Sequence, residues 1–186
     1  LEISTPENQT AISTSLLSNP DDVALTLTLG GVDDDSFNLS LDNILSFKIA
    51  PDYETKTSYS ITLSLTSAGV MTSKDITILI TNVNELPIIN GLKAIIEVDE
   101  NQSDVTSVSA SDPDASSSLT YSISGNDSSL FSISSSGVLF FKGSPGKTVP
   151  DYEFPQDING DNSYEINIIV SDGGLSVTQA ISVQIK

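Results

Sequence analysis

The chain of 186 residues has no Cys, no His, no Trp and no Arg, and each absence removes a class of chemistry. Without His or Cys there is no Ser-His-Asp or Cys-His relay, and the usual zinc ligands are missing. An enzyme is therefore not expected. With only seven basic residues, all Lys, against twenty-five acids, the net charge is −18. Such a chain is repelled by phosphate, so nucleic acid is excluded as a partner. No apolar run approaches the roughly 18 residues of a membrane span, and no signal-peptide pattern is present, so no direct membrane contact is expected. The sequence begins at Leu1, which reads as a fragment whose targeting segment has been cut away. Zero Cys suits a bacterial surface protein that avoids oxidative cross-linking, and it suits the cytosol equally.

Hydrophobic residues are present at 38%, too many for a disordered acidic tail. They alternate with polar residues at period two in segments such as 58–65, 75–80, 119–123, 165–170 and 180–185, which are rich in Ile, Val, Leu, Thr and Ser. Clusters of Gly, Pro, Asn and Asp bound these segments, and no stretch keeps a helical period over ten residues. This is the pattern of an all-β chain of short strands with Greek-key connections. The acids gather at the strand ends, where ligands for a hard cation would stand.

Comparing the chain with itself reveals a duplication. PENQT at 6–10 returns as DENQS at 99–103, and NPDD at 19–22 answers DPDA at 112–115, both at an offset of 93. PDYE at 51–54 returns at 150–153, an offset of 99, and the segment from Tyr59 matches that from Tyr164, an offset of 105. Ordered matches with rising offsets indicate two copies, the second carrying two insertions. They meet near TNVNELP at 81–87, where Pro87 breaks strand pairing. The expected domains are 1–85, with a linker at about 82–87, and 88–186.

The succession PEN, DPD, DYE and VSDGG, followed by a DVNE-type linker, resembles the extracellular cadherin repeat, and most closely the cadherin-like repeats of large bacterial surface proteins. The resemblance covers both copies. It implies two tandem seven-stranded, immunoglobulin-like (cadherin-like) sandwiches with calcium bound between them. Carried over by position, the ligands at the junction are Glu7, Asp52 and Glu54 of the first copy, Asn82, Asn84 and Glu85 of the linker, and Asp112, Asp114 and Asp172 of the second copy.

Calcium takes six to eight oxygens, so this set suffices for two or three ions. Without cations the carboxylates repel: two charges about 4 Å apart interact by roughly 4 kcal/mol at an effective dielectric of about 20. The family linker begins with Asp where this chain has Asn82, a lost carboxylate that leaves both ion counts open.

The two free ends differ from the middle. At the top of the first copy Asn19 and Asp21 replace the DPD pair and Ser67 stands where the second copy has Asp172, so poor calcium binding is expected there. At the bottom of the second copy Glu100, Asp151 and Glu153 form an incomplete set. The insertion DINGDN at 157–162 alternates Asp157, Asn159 and Asp161 around a Gly, like the start of an EF-hand loop without its distal Glu. It holds one further ion, or it is simply a polar Gly-Asp-Asn turn. Tyr53 and Tyr152 are expected to pack at the sandwich ends, and the acids at 33–35 to be solvated.

The reading is a calcium-stiffened module of an extracellular or cell-surface protein, a bacterial adhesin by the resemblance, that adheres or extends a distal domain. Its partners would be other repeats of the same chain, another surface protein or a polysaccharide. The alternative is a carbohydrate-binding module, which an aromatic patch on one sheet face would favour.

Overall fold

The computed structural model describes residues 1–12, 26–67, 69–114, 118–143, 146 and 149–186. The chain divides into two compact units, Leu1–Val83 and Asn84–Lys186.

In the first unit the described strands are β1 (Glu2–Pro6), β2 (Thr26–Gly30), β3 (Phe37–Leu39), β4 (Leu45–Phe47), β5 (Ser58–Ser67) and β6 (Val70–Thr81). One sheet runs β1-β6-β5-β2, with β1 parallel to β6; β3 and β4 form a second, antiparallel pair. Alternation at period two decides which side chains are buried. Ile61 and Leu63 of β5 and Ile76, Ile78 and Ile80 of β6 point one way and meet Phe37, Leu45 and Phe47 from the β3–β4 pair.

The second unit holds β7 (Ile88–Asn90), β8 (Ile95–Val98), β9 (Asp104–Ser107), β10 (Ser109–Ser111), β11 (Thr120–Ser124), β12 (Phe131–Ile133), β13 (Val138–Phe141), β14 (Ser163–Ser171) and β15 (Ser176–Ile185). Its main sheet runs β11-β14-β15-β8, with β8 parallel to β15, and faces a sheet ordered β12-β13-β9; β7 pairs with β10. Ile166, Ile168 and Val170 of β14 and Ile181, Val183 and Ile185 of β15 fill the space against Phe131, Leu139 and Phe141. The expected β-sandwich class is therefore observed.

The duplication is legible in three dimensions inside each unit. Phe37, Phe47 and Tyr59 form a triad with ring centroids 4.5–5.7 Å apart. Phe131, Phe141 and Tyr164 form its counterpart at 5.3–5.8 Å. Tilted and edge-on contacts of this kind add about 0.5–1.5 kcal/mol per pair beyond their burial. A tight turn fixes the approach to β13. Gly137 has φ +82°, and a Cβ there would lie 2.4 Å from the carbonyl oxygen of Val108. Only glycine satisfies both the left-handed backbone and the close approach.

Candidate metal centres

Glu7 follows β1 and is buried in the first unit, although it is a carboxylate. Its oxygens are not idle: Oε2 accepts the backbone N–H of Tyr53 at 2.7 Å and Oε1 that of Val83 at 2.8 Å. Buried charge is tolerated because it receives these donors. The next residue, Asn8, turns the chain with φ +61° and donates its N–H to the carbonyl of Pro51. These bonds carry Glu7 beside the loop of Asp52 and Glu54. One carboxylate oxygen from each of Glu7, Asp52 and Glu54 lies within 4.8 Å of the other two. Oxygens across one calcium ion at about 2.3–2.6 Å each stand about 4.6–5.2 Å apart, so this triple fits inside a single coordination shell.

The second unit rebuilds the same corner. Glu100 Oε2 accepts the N–H of Tyr152 at 3.0 Å, and Asn101, with φ +62°, donates to the carbonyl of Pro150. Glu100, Asp151 and Glu153 are again within 4.8 Å of one another. Asp151 Oδ1 also takes the N–H of Phe154 at 3.2 Å, as Asp52 Oδ1 takes that of Thr55 at 3.0 Å.

The other carried-over residues of the second unit are arranged differently. Asp112 Oδ1 accepts the N–H of Asp114, and the nearly buried Asp114 accepts that of Glu85 at 2.8 Å. Asp172 takes the N–H groups of Gly174 and Leu175 on Oδ1 and the side-chain amide of Asn84 at 2.8 Å on Oδ2. The donation from Leu175, then Asn84 and Gly174, holds the Asp172 carboxyl below the usual carboxylate range. Within this unit Asp112, Asp114 and Asp172 form no close carboxylate triple among the described residues.

Asp112 Oδ2 is buried and has no hydrogen-bond partner among the described residues. A buried anionic oxygen without a donor is costly, and a cation is the ligand that such an oxygen suits. Asn82 lies at the exposed end of the linker. Asn19 and Asp21 fall outside the described residues, so the expectation for the top of the first copy stays with the sequence.

The 157–162 loop is closed on itself. Asp157 is buried and takes the N–H groups of Asp161 at 2.9 Å and Asn162 at 3.2 Å. Asn159 donates its amide to Asp161 Oδ2 at 2.8 Å. The polar turn is thus held by its own donors.

Sequence reasoning missed two acids. Asp33, expected to be solvated, is only 14% exposed at its side chain and pairs with Lys56, whose ammonium also stands 4.5 Å over the ring of Tyr59. Asp127 is buried and holds the loop and β14 together through Ile158 N and Glu165 N. The one available signal was the match of G-V-D at 31–33 to G-N-D at 125–127 ahead of the Phe pair. Tyr152 also departs from expectation: Tyr53 packs against its core, whereas Tyr152 is 51% exposed.

No family model matches the sequence, and no curated protein does. Solved structures do. Domains EC1-2 of human protocadherin-24 align over 100% of this chain and 94% of theirs, with TM-score 0.65 and 20% identity. The fold is that of two cadherin-like β-sandwiches. Domains EC1-4 of Drosophila N-cadherin give a TM-score of 0.69 at 17% identity over 100% of this chain and 48% of that one. Mouse cadherin-23 EC22-24 gives 0.56 at 19% over 100% and 62%. These neighbours are cadherin EC domains. Among the described residues, no helix is long and apolar enough to cross a membrane.

Proposed function

We propose that this chain is a calcium-binding, cadherin-like module of an extracellular or cell-surface protein, in which calcium stiffens the tandem for adhesion or reach. The observation that carries the reading is the carboxylate triple repeated at the same corner of both units, Glu7–Asp52–Glu54 and Glu100–Asp151–Glu153. Two or three ions would be taken by the first triple together with the linker's Asn82, Asn84 and Glu85 and with Asp112, Asp114 and Asp172. The linker supports this assignment from both sides. Val83 is tied by its N–H to Glu7, and Glu85 by its own to Asp114. The orphaned Asp112 Oδ2 supports it again. All donors are oxygens, the set a hard divalent cation prefers.

The bound ions would neutralise crowded carboxylates and stabilise the folded tandem by mass action, by about 2.7 kcal/mol when free calcium is about 100 times Kd. The partners in this reading are neighbouring repeats of the same chain or a second cadherin-like chain. Exposed aromatics that would favour carbohydrate lie in the loop after β13, at Tyr152 and Phe154, and not on a sheet face. A bacterial surface as the setting rests on the sequence resemblance alone.

The test is a calcium titration of the intact chain followed by calorimetry, thermal melting and small-angle scattering, before and after chelation. Calcium is expected to raise the melting midpoint and to narrow the distribution of interdomain distances. Asp112→Ala is expected to weaken both responses while each sandwich remains folded. A melting midpoint and scattering profile indifferent to calcium would overturn the reading.

A further inference from the structure

The loop at 157–162 contains a chemical weak point that the calcium reading does not touch. Asn159 is exposed and is followed by Gly160, whose φ is +71°. A Cβ placed on Gly160 would meet nothing within 4 Å, so the backbone around its nitrogen is open. The side-chain amide of Asn159 donates to Asp161 Oδ2 at 2.8 Å in an exposed bond.

In an Asn-Gly pair the glycine nitrogen attacks the asparagine side-chain carbonyl carbon. A carbon–nitrogen bond forms, ammonia leaves, and a five-membered succinimide results. Water then opens the ring at either carbonyl, giving aspartate or isoaspartate. Glycine favours this because it has no side chain to shield the nitrogen and it reaches backbone conformations that close the ring. We propose that Asn159–Gly160 is a site of spontaneous deamidation in this protein.

The second Asn-Gly pair, Asn90–Gly91, is a built-in comparison. Asn90 ends β7, where it is paired in register with Ser109, and its amide donates to Ser111 Oγ at 3.1 Å. Gly91 is as open as Gly160, with φ +64° and nothing within 4 Å of an added Cβ, so the strand pairing of Asn90 is what separates the two pairs, and Asn90 should persist longer than Asn159. Asn159 has no such ladder. Its loop is anchored instead at its two ends, by Asp127 on Ile158 and by Asp157 on Asp161 and Asn162.

Conversion also changes the loop's charge. The amide N–H that now neutralises Asp161 Oδ2 would be replaced by a carboxylate, leaving acids at three alternate positions, 157, 159 and 161. The turn would lose that side-chain bond and gain a negative charge beside Asp161.

The experiment incubates the intact chain, warm and at mildly alkaline pH, and follows tryptic peptides by mass spectrometry with chromatographic separation of the two acid isomers. Residue 159 is expected to acquire the mass of an acid first, in both isomeric forms, with Asn90 unchanged. Gly160→Ala should slow the conversion. Asn159→Gln should abolish it without touching the backbone, since its ring would have to be six-membered. Retention of the amide at 159, or conversion of Asn90 at an equal rate, would overturn the proposal.

Discussion

Asp33 and Asp127 occupy the same place in their respective units and secure it through different partners. Each accepts a backbone N–H from the long strand behind it, Ser60 on β5 and Glu165 on β14, at 2.8 Å. The remaining oxygen of Asp33 is met by the ammonium of Lys56, while that of Asp127 is met by the N–H of Ile158. The insertion in the second copy thus supplies from its backbone what the first copy supplies from a side chain. The consequence is a division of labour: Asp127 ties the inserted loop to the sandwich, and Asp33 relies on a lysine side chain.

Asp127→Ala should therefore destabilise the second unit strongly. It strips two part-buried N–H groups of their acceptor, at about 1–3 kcal/mol each. A loss of about 2–5 kcal/mol is expected in denaturant melts, with hydrogen exchange faster across 157–166 and unchanged across β5. Exchange that stays slow in the loop would refute the anchoring role.

The Asp33 carboxyl is held below the usual carboxylate range, chiefly by the hydrogen bond from Lys56 and then by that from Ser60. A carboxyl depressed in the folded state contributes stability above its unfolded value of about 3.9, and that contribution is lost as pH falls through the lower folded value. Calcium-free chain titrated downward from about pH 7 should lose protection on β5 in that acid range. Asp33→Asn should remove this contribution to the pH dependence while lowering stability near neutrality. An acid profile identical in the variant would count against the pairing.

Gly137→Ala should be among the most damaging conservative changes. The added carbon would sit 2.4 Å from Val108 O at a positive φ, so either β13 or the Val108 segment must move. A cost of about 2–4 kcal/mol is expected, by strain and overpacking combined. Gly146→Ala, at φ +90° with no neighbour within 4 Å, is the control that carries the backbone strain without the clash.

Glu153→Gln should weaken one class of calcium site and leave another. The change removes one charge from the Glu100–Asp151–Glu153 triple without touching the carboxylates of the first unit. Calorimetry should show roughly a tenfold loss for that class, about 1.4 kcal/mol, with the remaining class unaltered. A uniform loss across all sites would argue that the two triples do not act separately.

Much of the architecture was legible because it is written at short range. The alternation of Ile166, Ile168 and Val170, or of Ile76, Ile78 and Ile80, states both strand and buried face. Glu7 and the DYE residues were recoverable because the chain repeats them in order. Asp127 was not, since its role depends on Ile158 and Glu165, which lie 31 and 38 residues away. Nothing local distinguishes a carboxylate that caps distant backbone from one that faces water. The inserted loop posed the same difficulty. DINGDN reads as an ion loop, yet Asp157 is turned inward and spends both oxygens on the loop's own N–H groups. Tyr53 and Tyr152 share a motif and differ in exposure, because their surroundings diverge after the DYE.

One feature of both sandwiches bears on force. In each unit a strand near its start lies parallel to the last strand: β1 along β6 from Glu2↔Thr77 to Pro6↔Thr81, and β8, which follows the short β7, along β15 from Ser182↔Ile95 to Ile185↔Val98. Tension applied through the two ends of such a unit pulls these neighbours in opposite directions along their length. The ladder is then loaded in shear, and its hydrogen bonds must yield together. Were the strands antiparallel, the same pull would peel the bonds apart one at a time. Each sandwich is therefore built as a mechanical clamp, suited to a chain that transmits load from one end to the other.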